Sequence, residues 1–237
     1  MLTVALIGNP NVGKTELFNR LTGMKQQVGN WPGVTVEKKT GKFTHRGDEM
    51  EVVDLPGTYS LTAQAADELV SRRFIVEERP DVVVNILDAT SLERNLYLTL
   101  LLLELEANLV LALNKWDMAR ERGIAIDVER LSQLLGAAAV PTVATTGEGL
   151  EELKEAVSAA AKADRKRRRP IIGYGDRVES AIGDLEEAVS QDPILSERYP
   201  SRWLSIKLLE DDAEAKRLVE ESPRRDEILG RLERYGR

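Results

Sequence analysis

The sequence predicts an α/β fold, a mostly parallel sheet with helices on both faces, followed by a small all-α domain. Three observations predict it. Short apolar runs alternate with amphipathic segments through the first two thirds of the chain. The motifs able to touch a ligand fall at the carboxyl ends of those runs, where open parallel sheets bind. From Asp164 onward the strand signals give way to helical periodicity.

The first run, Leu2 to Ile7, reads as a buried strand. It leads into Gly8-Asn9-Pro10-Asn11-Val12-Gly13-Lys14-Thr15, and Leu17, Phe18 and Leu21 then mark one face of a helix. Strand, G-x-x-x-x-G-K-[ST], helix is the context of a phosphate-binding loop. Such a loop points backbone N–H groups inward, and the helix dipole adds positive potential. Gly8 and Gly13 permit a backbone approach that a Cβ would obstruct. Lys14 is expected to reach the β- and γ-phosphates, and the Thr15 hydroxyl to bind Mg²⁺. Residues 8–15, with Glu16 beside them, are the first nucleotide-binding candidates.

Gln26 to Lys39 contains Gly29-Asn30-Trp31-Pro32-Gly33-Val34-Thr35. Two glycines and a proline make a poor helix or central strand, so a surface loop is expected. Downstream of a phosphate loop, it reads as a mobile segment covering the nucleotide. Gly33 and Val34 then lie against the ligand, and Thr35 completes the Mg²⁺ shell when a γ-phosphate is present. Gly41 to Arg46 and Glu49 to Val53 read as a strand pair turning at Gly47-Asp48. His45, the sole histidine, is expected as an exposed hairpin residue rather than a metal ligand. The second strand delivers Asp54-Leu55-Pro56-Gly57. There the acid can reach Mg²⁺ and the Gly57 N–H can contact the γ-phosphate.

Val82 to Leu87 is a β-branched run and a buried strand. Ser91 should cap a helix with Leu92, Leu96, Leu100 and Leu103 on one stripe. Leu109 to Leu113 ends at Asn114-Lys115-Trp116-Asp117, the N-K-x-D pattern by which GTPases read guanine. The Asp117 carboxylate can accept from N1–H and the 2-amino group, which adenine does not offer. Asn114 can bond N7 and tie this loop to the phosphate loop, and Lys115 can lie over the base. A helix over Asp127 to Leu135 and a strand near Val140 to Val143 follow. Val143, Ala144 and Thr145 form a weaker base loop, with the Ala144 N–H assigned to guanine O6. Gly149 to Ala161 forms a last helix. Together these motifs make residues 1–163 a GTP-binding P-loop NTPase domain of the Ras-like kind.

At 237 residues, with 42% hydrophobic and 31% charged, the chain holds one or two globular domains. A formal charge of −7 argues against broad nucleic-acid binding. The lack of cysteine excludes disulfides, thiolate nucleophiles and iron–sulfur clusters and suits a reducing cytoplasm. No basic leader precedes the first strand, so no signal peptide is expected. The longest apolar stretch, Leu96 to Leu113, contains Glu104 and Glu106. A charge at mid-membrane costs about 2.5–3.5 kcal/mol, so a helix followed by a strand explains the stretch better than a membrane span.

Arg165-Lys166-Arg167-Arg168-Arg169-Pro170 marks a linker over residues 164–172. It reads either as a solvated hinge or as a membrane-surface patch. Beyond it, Val178, Ile182, Leu185 and Val189 mark an amphipathic helix. Trp203, Leu204, Ile206, Leu208 and Leu209 mark a short buried one, and Ser222-Pro223 looks like the start of another, with Ile228, Leu229 and Leu232. A helical domain over 173–237 follows.

These residues resemble the cytoplasmic N-terminal region of ferrous iron transport protein B (FeoB). The likeness rests on residues 8–15, Val28 to Lys39, Val53 to Leu61, Leu92 to Thr99 and Trp203 to Glu210, and it covers nearly the whole chain. It implies a GTP-hydrolysing G domain, then a helical domain likened to guanine nucleotide dissociation inhibitors. It also implies a multi-pass membrane region beyond this soluble fragment, at the cytoplasmic face of the cell membrane, with GTP switching Fe²⁺ uptake. Guanine nucleotide, small cytoplasmic Feo accessory proteins and a homo-oligomer are the implied partners, and nucleic acid is not one. Lys14, Thr35, Gly57 and Asn11 would carry hydrolysis, and Thr15, Thr35 and Asp54 would hold Mg²⁺. A bound K⁺ is also implied, for which Asn11 offers its side-chain carbonyl and Gly29 and Trp31 their backbone carbonyls. Three positions depart from the family pattern. Glu16 replaces Thr or Ser and would repel the α-phosphate unless it turns outward. Lys115-Trp116 restores the general GTPase form, and Val143 replaces a small polar residue. Thr58 stands where Ras-like enzymes place Gln, and no arginine finger is evident. Two other classes stay open: a free-standing GTPase acting on RNA or ribosomes, and a nucleotide-binding module without catalysis.

Overall fold

The computed structural model describes residues 1–62, 65–163 and 172–235. The chain divides into two compact units, Met1–Leu103 with Ala107–Pro170, and Ile171–Arg237 with Glu104–Glu106. The basic run at 165–169 lies outside the described residues.

The first unit is built on a seven-stranded sheet: β1 (Leu2–Gly8), β2 (Gln26–Asn30), β3 (Glu37–His45), β4 (Asp48–Asp54), β5 (Val82–Asp88), β6 (Leu109–Asn114) and β7 (Ala138–Pro141). Its order is β2-β3-β4-β1-β5-β6-β7. The β2–β3 and β3–β4 pairs are antiparallel, and all others are parallel. The central strands β1, β5 and β6 are largely apolar and buried because both faces are covered. On one face Val4 and Leu6 of β1 join Val84 and Ile86 of β5 in a cluster with Leu17, Phe18 and Leu21 of α1 (Lys14–Thr22). Leu153 and Val157 of α6 (Leu150–Lys162) complete that cluster. On the other face Asn85 of β5 donates to Thr99 Oγ1 (2.8 Å) of α3 (Leu92–Glu104). The mostly parallel, doubly covered sheet matches the expectation.

Four local expectations are corrected. The segment after α1 is not all loop: Gln26–Asn30 forms the edge strand β2. An edge strand needs a partner on one side only, so its glycine is tolerated, and Pro32 falls in the turn beyond it. His45 is not an exposed hairpin residue. Its side chain is only 12% exposed, with Nε2 3.0 Å from Glu155 and Nδ1 3.9 Å from Glu151, because the hairpin end lies against α6. In α3 the buried residues are Asn95, Leu98, Thr99, Leu101 and Leu102, whereas Leu100 is exposed. Seven leucines among its thirteen residues hide which stripe faces inward. Ser91 is not the cap either: Asp88 accepts from Thr90 N–H and opens a 3₁₀ turn, Ala89–Ser91, that runs into α3.

Helices α2 (Ala66–Arg73), extended by a π turn over Phe74–Glu78, α4 (Trp116–Glu121) and α5 (Val128–Leu135) complete the first unit. The second contains α7 (Asp176–Ser190), α8 (Pro193–Arg198), α9 (Ser201–Leu209), α10 (Ala213–Glu220) and α11 (Arg225–Leu232). Ile182, Leu185 and Val189 are buried as expected, while Val178 is exposed. Arg202 of α9 holds Glu179 of α7 through both guanidinium nitrogens at 2.8 and 2.9 Å. α11 begins at Arg225 rather than at Pro223, and the Ser222 hydroxyl caps the turn before it, accepting from Arg224 N–H (3.0 Å) and donating to the buried Asp192. No described helix is long and apolar enough to cross a membrane.

Candidate nucleotide site

The carboxyl ends of β1, β4, β5 and β6 bring the predicted loops together. Gly8 closes β1, and a Cβ there would sit 2.6 Å from the Ile86 carbonyl of the neighbouring strand. Only glycine lets β1 and β5 approach so closely at the start of the loop. Gly13 has φ +92°, and a Cβ would lie 2.3 Å from Asn114 Nδ2. The same amide donates to the Val12 carbonyl (2.7 Å), while Asn114 Oδ1 accepts from the Ala144 N–H (2.9 Å). Asn114, 3% exposed, therefore ties the N-K-x-D loop to the phosphate loop and to the base loop.

At the phosphate end, Lys14 begins α1 with Thr15 and Glu16 in its first turn. Lys14 Nζ donates to Asp54, the last residue of β4. Leu55 N–H donates to the Leu6 carbonyl (2.9 Å) and Thr58 N–H to the Gly8 carbonyl (3.1 Å), which stitches Asp54-Leu55-Pro56-Gly57 to the phosphate loop. Lys14, Thr35, Asp54, Pro56 and Gly57 line one cavity of about 580 Å³. Glu37, paired with Lys39 at 2.7 Å, and Asp67 line it as well; the Asp54 carboxylate and the Thr35 hydroxyl, with Thr15 beside Lys14, suit a hard divalent ion completed by phosphate oxygens. Glu16 is exposed and accepts from Arg20 (3.4 Å), so it takes the outward position.

At the base end, Lys115 has φ 60° and Asp117 falls in the first turn of α4 rather than in a loop. Lys115 Nζ donates to Asp88 at 2.6 Å. Burial works against the Asp88 carboxylate, but hydrogen bonds from Lys115 and Thr90 outweigh it and hold its pKa below the ordinary value. Asp88 was not among the sequence candidates; its position at the end of β5, level with Asn114, is the signal that was available. Arg20 was missed too, and it donates to the Thr145 carbonyl, joining α1 to the base loop. Val143 is buried and forms an isolated bridge with Glu148. The Ala144 N–H assigned to guanine O6 is committed to Asn114 in this structure.

The K⁺ set is not assembled. Asn11 stands in the phosphate loop with φ 67° and an exposed side chain. Gly29 pairs with Lys38 in the β2–β3 ladder, and the Trp31 carbonyl accepts from Val34 N–H (3.3 Å) in the turn that also contains Gly33. These two carbonyls do not fit a cation held by Asn11 while the hairpin stands. Thr58 is buried and its hydroxyl donates to the Ser60 carbonyl (2.6 Å), so it is not free to orient a water.

Comparison with known proteins agrees with this geometry. The family profile described as ferrous iron transport protein B matches residues 2–157, and that of the FeoB cytosolic helical domain matches residues 174–235. A fusion of Fe(2+) transport protein A with Fe(2+) transporter FeoB from Porphyromonas gingivalis is 46% identical over 94% of this chain and 27% of its own length. The Fe(2+) transporter FeoB of Escherichia coli K12 is 41% identical over 98% of this chain and 30% of its own. The chain thus spans less than a third of the length of these curated relatives. Among solved structures, the cytosolic domain of the T. maritima FeoB iron transporter in its GDP form superposes with a TM-score of 0.87 at 40% identity, covering 99% of this chain and 94% of that one. The FeoB G-domain from Methanococcus jannaschii is 54% identical with a TM-score of 0.62, over 68% and 98%. With both of its parts matched in order, the chain belongs to the ferrous iron transport protein B family, as its G domain and cytosolic helical domain.

Proposed function

We propose that this chain binds and slowly hydrolyses GTP at the cytoplasmic face of a membrane, as the nucleotide switch of a ferrous iron transporter. The observation that carries the reading is the Asn114 bridge, which fixes the phosphate loop and both base-reading loops in one piece. The guanine reader is then Asp117, with Asn114 and Lys115, and the phosphates fall to residues 8–15 and Gly57. Solved relatives carry GDP and GMPPNP, which supports the same ligands here. Mg²⁺, when bound, neutralises charge on the phosphate oxygens, and Thr15, Thr35 and Asp54 would hold it. Lys14 supplies a further positive charge, and Gly57 a backbone donor to the γ-phosphate. Nothing at Thr58 positions a water, so turnover is expected to be slow. The Porphyromonas gingivalis fusion supports Feo accessory proteins as partners.

The test is calorimetry with GDP, GTP and ATP, together with multiple-turnover phosphate release. Asp117→Asn should weaken guanine nucleotides at least about tenfold, as expected for lost hydrogen bonds to guanine donors, and admit xanthine nucleotides. Thr35→Ala should spare GDP affinity and lower turnover, whereas Thr15→Ala should harm both. ATP binding as tight as GTP would refute the guanine reading, and binding without phosphate release would leave a module without catalysis. Loss of iron uptake by the full-length protein carrying Lys14→Ala tests the transport half.

A further inference from the structure

We propose that Trp31 and Phe74 are positioning residues that set the selectivity between di- and triphosphate, an inference that rests on the nucleotide reading above. The hairpin formed by β2, the turn after it and β3 is anchored by one side chain. All five residues of β2 are exposed, and of residues 31–36 only Trp31 is buried, at 7% exposure. Its indole stands edge-on to the Phe74 ring, with centroids 5.4 Å apart and an interplanar angle of 71°. Lys38 Nζ lies over the same indole, 4.7 Å from the ring centroid. Beyond the β2–β3 ladder, this aromatic contact keeps the segment on the sheet edge.

The anchor is built to let go. The indole N–H is buried without a hydrogen-bond partner. A donor in that position is destabilised relative to water, so exposure of Trp31 recovers part of what the loss of burial costs. The anchor also has open space beside it. An open cavity of about 750 Å³, lined by Val28, Trp31, Val34, Leu69 and Phe74 and also by charged residues such as Arg73, gives the indole a path to solvent.

Both ends of the contact reach the phosphate site. Thr35 lies in the turn closed by the hydrogen bond from Trp31 N–H to the Val36 carbonyl (2.9 Å). Phe74 opens the π turn at the end of α2, and Ser71 of that helix donates to the Pro56 carbonyl (3.4 Å). Isolated π turns often mark functional sites. Gly57 and Thr35 line one cavity, so a γ-phosphate that engages both draws on the helix that carries Phe74 and on the turn that carries Trp31. A diphosphate makes neither demand. The indole contact therefore opposes triphosphate binding selectively.

Emission from Trp31, isolated as the difference between wild type and Trp31→Phe, reads the contact directly in the full chain. It should shift to the red with Mg²⁺·GMPPNP and not with Mg²⁺·GDP. Phe74→Ala should show the shifted emission already with GDP. It should also raise the ratio of the GDP Kd to the GMPPNP Kd at least about threefold, while GDP affinity stays within about twofold of wild type. Phe74→Leu, which preserves bulk should alanine prevent folding, should move the ratio the same way by less. Identical Trp31 emission in the two bound nucleotides, or an unchanged ratio in a folded Phe74 variant, overturns the proposal and leaves the nucleotide site standing. Failure of wild type to bind either nucleotide overturns the site reading and this inference together.

Discussion

Lys14 and Asp54 are partners of one another: the lysine expected on the phosphates holds the acid expected on the metal. The pair is mostly buried, at 13% and 10% side-chain exposure, at the wall of the phosphate cavity. Phosphates and Mg²⁺ must separate it, each taking one member. In Asp54→Asn the lysine faces phosphate with less competition, but the carboxylate for the metal is gone. We expect Mg²⁺-free GDP affinity to be equal to or tighter than wild type, and the gain in affinity from Mg²⁺ to vanish. Calorimetry in EDTA and in MgCl₂ measures both, and a wild-type response to Mg²⁺ in the variant would refute the assignment.

Asn114 should matter for stability even without nucleotide. Its amide satisfies the Val12 carbonyl and the Ala144 N–H within a buried junction. Asn114→Ala strands both groups, at about 1–3 kcal/mol each. Together that is about 2–6 kcal/mol, and at about 2–4 °C per kcal/mol for a chain of this size it is roughly 4–24 °C in Tm. Gly13→Ala should also destabilise, because its new methyl group would meet the same amide and because φ +92° is strained for alanine. Unchanged melting of the Asn114 variant would show that the junction is held by something else.

The sheet and the ligand loops were legible in the sequence because periodicity and motif spacing are local. What was not legible depended on a partner distant in the chain. Gln26–Asn30 has weak strand propensity and becomes β2 because β3 offers a free edge and Trp31 finds Phe74. The inward stripe of α3 is fixed by Asn85 reaching Thr99, which a leucine-rich helix does not reveal. The role of Ser222 is set by Asp192, which caps a helix the sequence reading did not find. Lys14 shows the same limit at the site, since its motif announces the phosphate but not the carboxylate that occupies it first.

The helical unit should carry a specific acid sensitivity. Asp192 is fully buried, accepting from the N–H groups of Ile194 and Leu195 at 2.9 Å each and from the Ser222 hydroxyl. Burial works against its charge, but these donors outweigh burial and lower its pKa from the ordinary 3.8. A carboxylate depressed in the folded state stabilises above the unfolded value, and that contribution is lost as pH falls through the folded one. The stability gap between wild type and Asp192→Asn should therefore be full at pH 7 and shrink below about pH 4. Urea unfolding across that range reads it. A gap that stays constant to low pH would mean the charge of Asp192 contributes nothing.

Potassium should accelerate hydrolysis through Asn11 and leave GDP binding unaffected. Asn11 has an exposed carboxamide at the phosphate loop, where a monovalent cation would neutralise charge developing between the β- and γ-phosphates. The carbonyls of Gly29 and Trp31, which would complete its shell, are committed to the hairpin in this structure. The cation gains them only if the hairpin opens, as the Trp31 proposal above expects with a triphosphate and not with a diphosphate. Na⁺ holds its water more tightly and should substitute poorly. The informative variant is Asn11→Gly rather than Asn11→Ala, because φ is 67° there and glycine alone removes the amide without backbone strain. At matched ionic strength, wild-type turnover should be faster in KCl than in NaCl, GDP affinity equal in both, and the KCl advantage absent in Asn11→Gly. Equal wild-type rates in the two salts would sink the idea, as would a potassium advantage that survives the substitution.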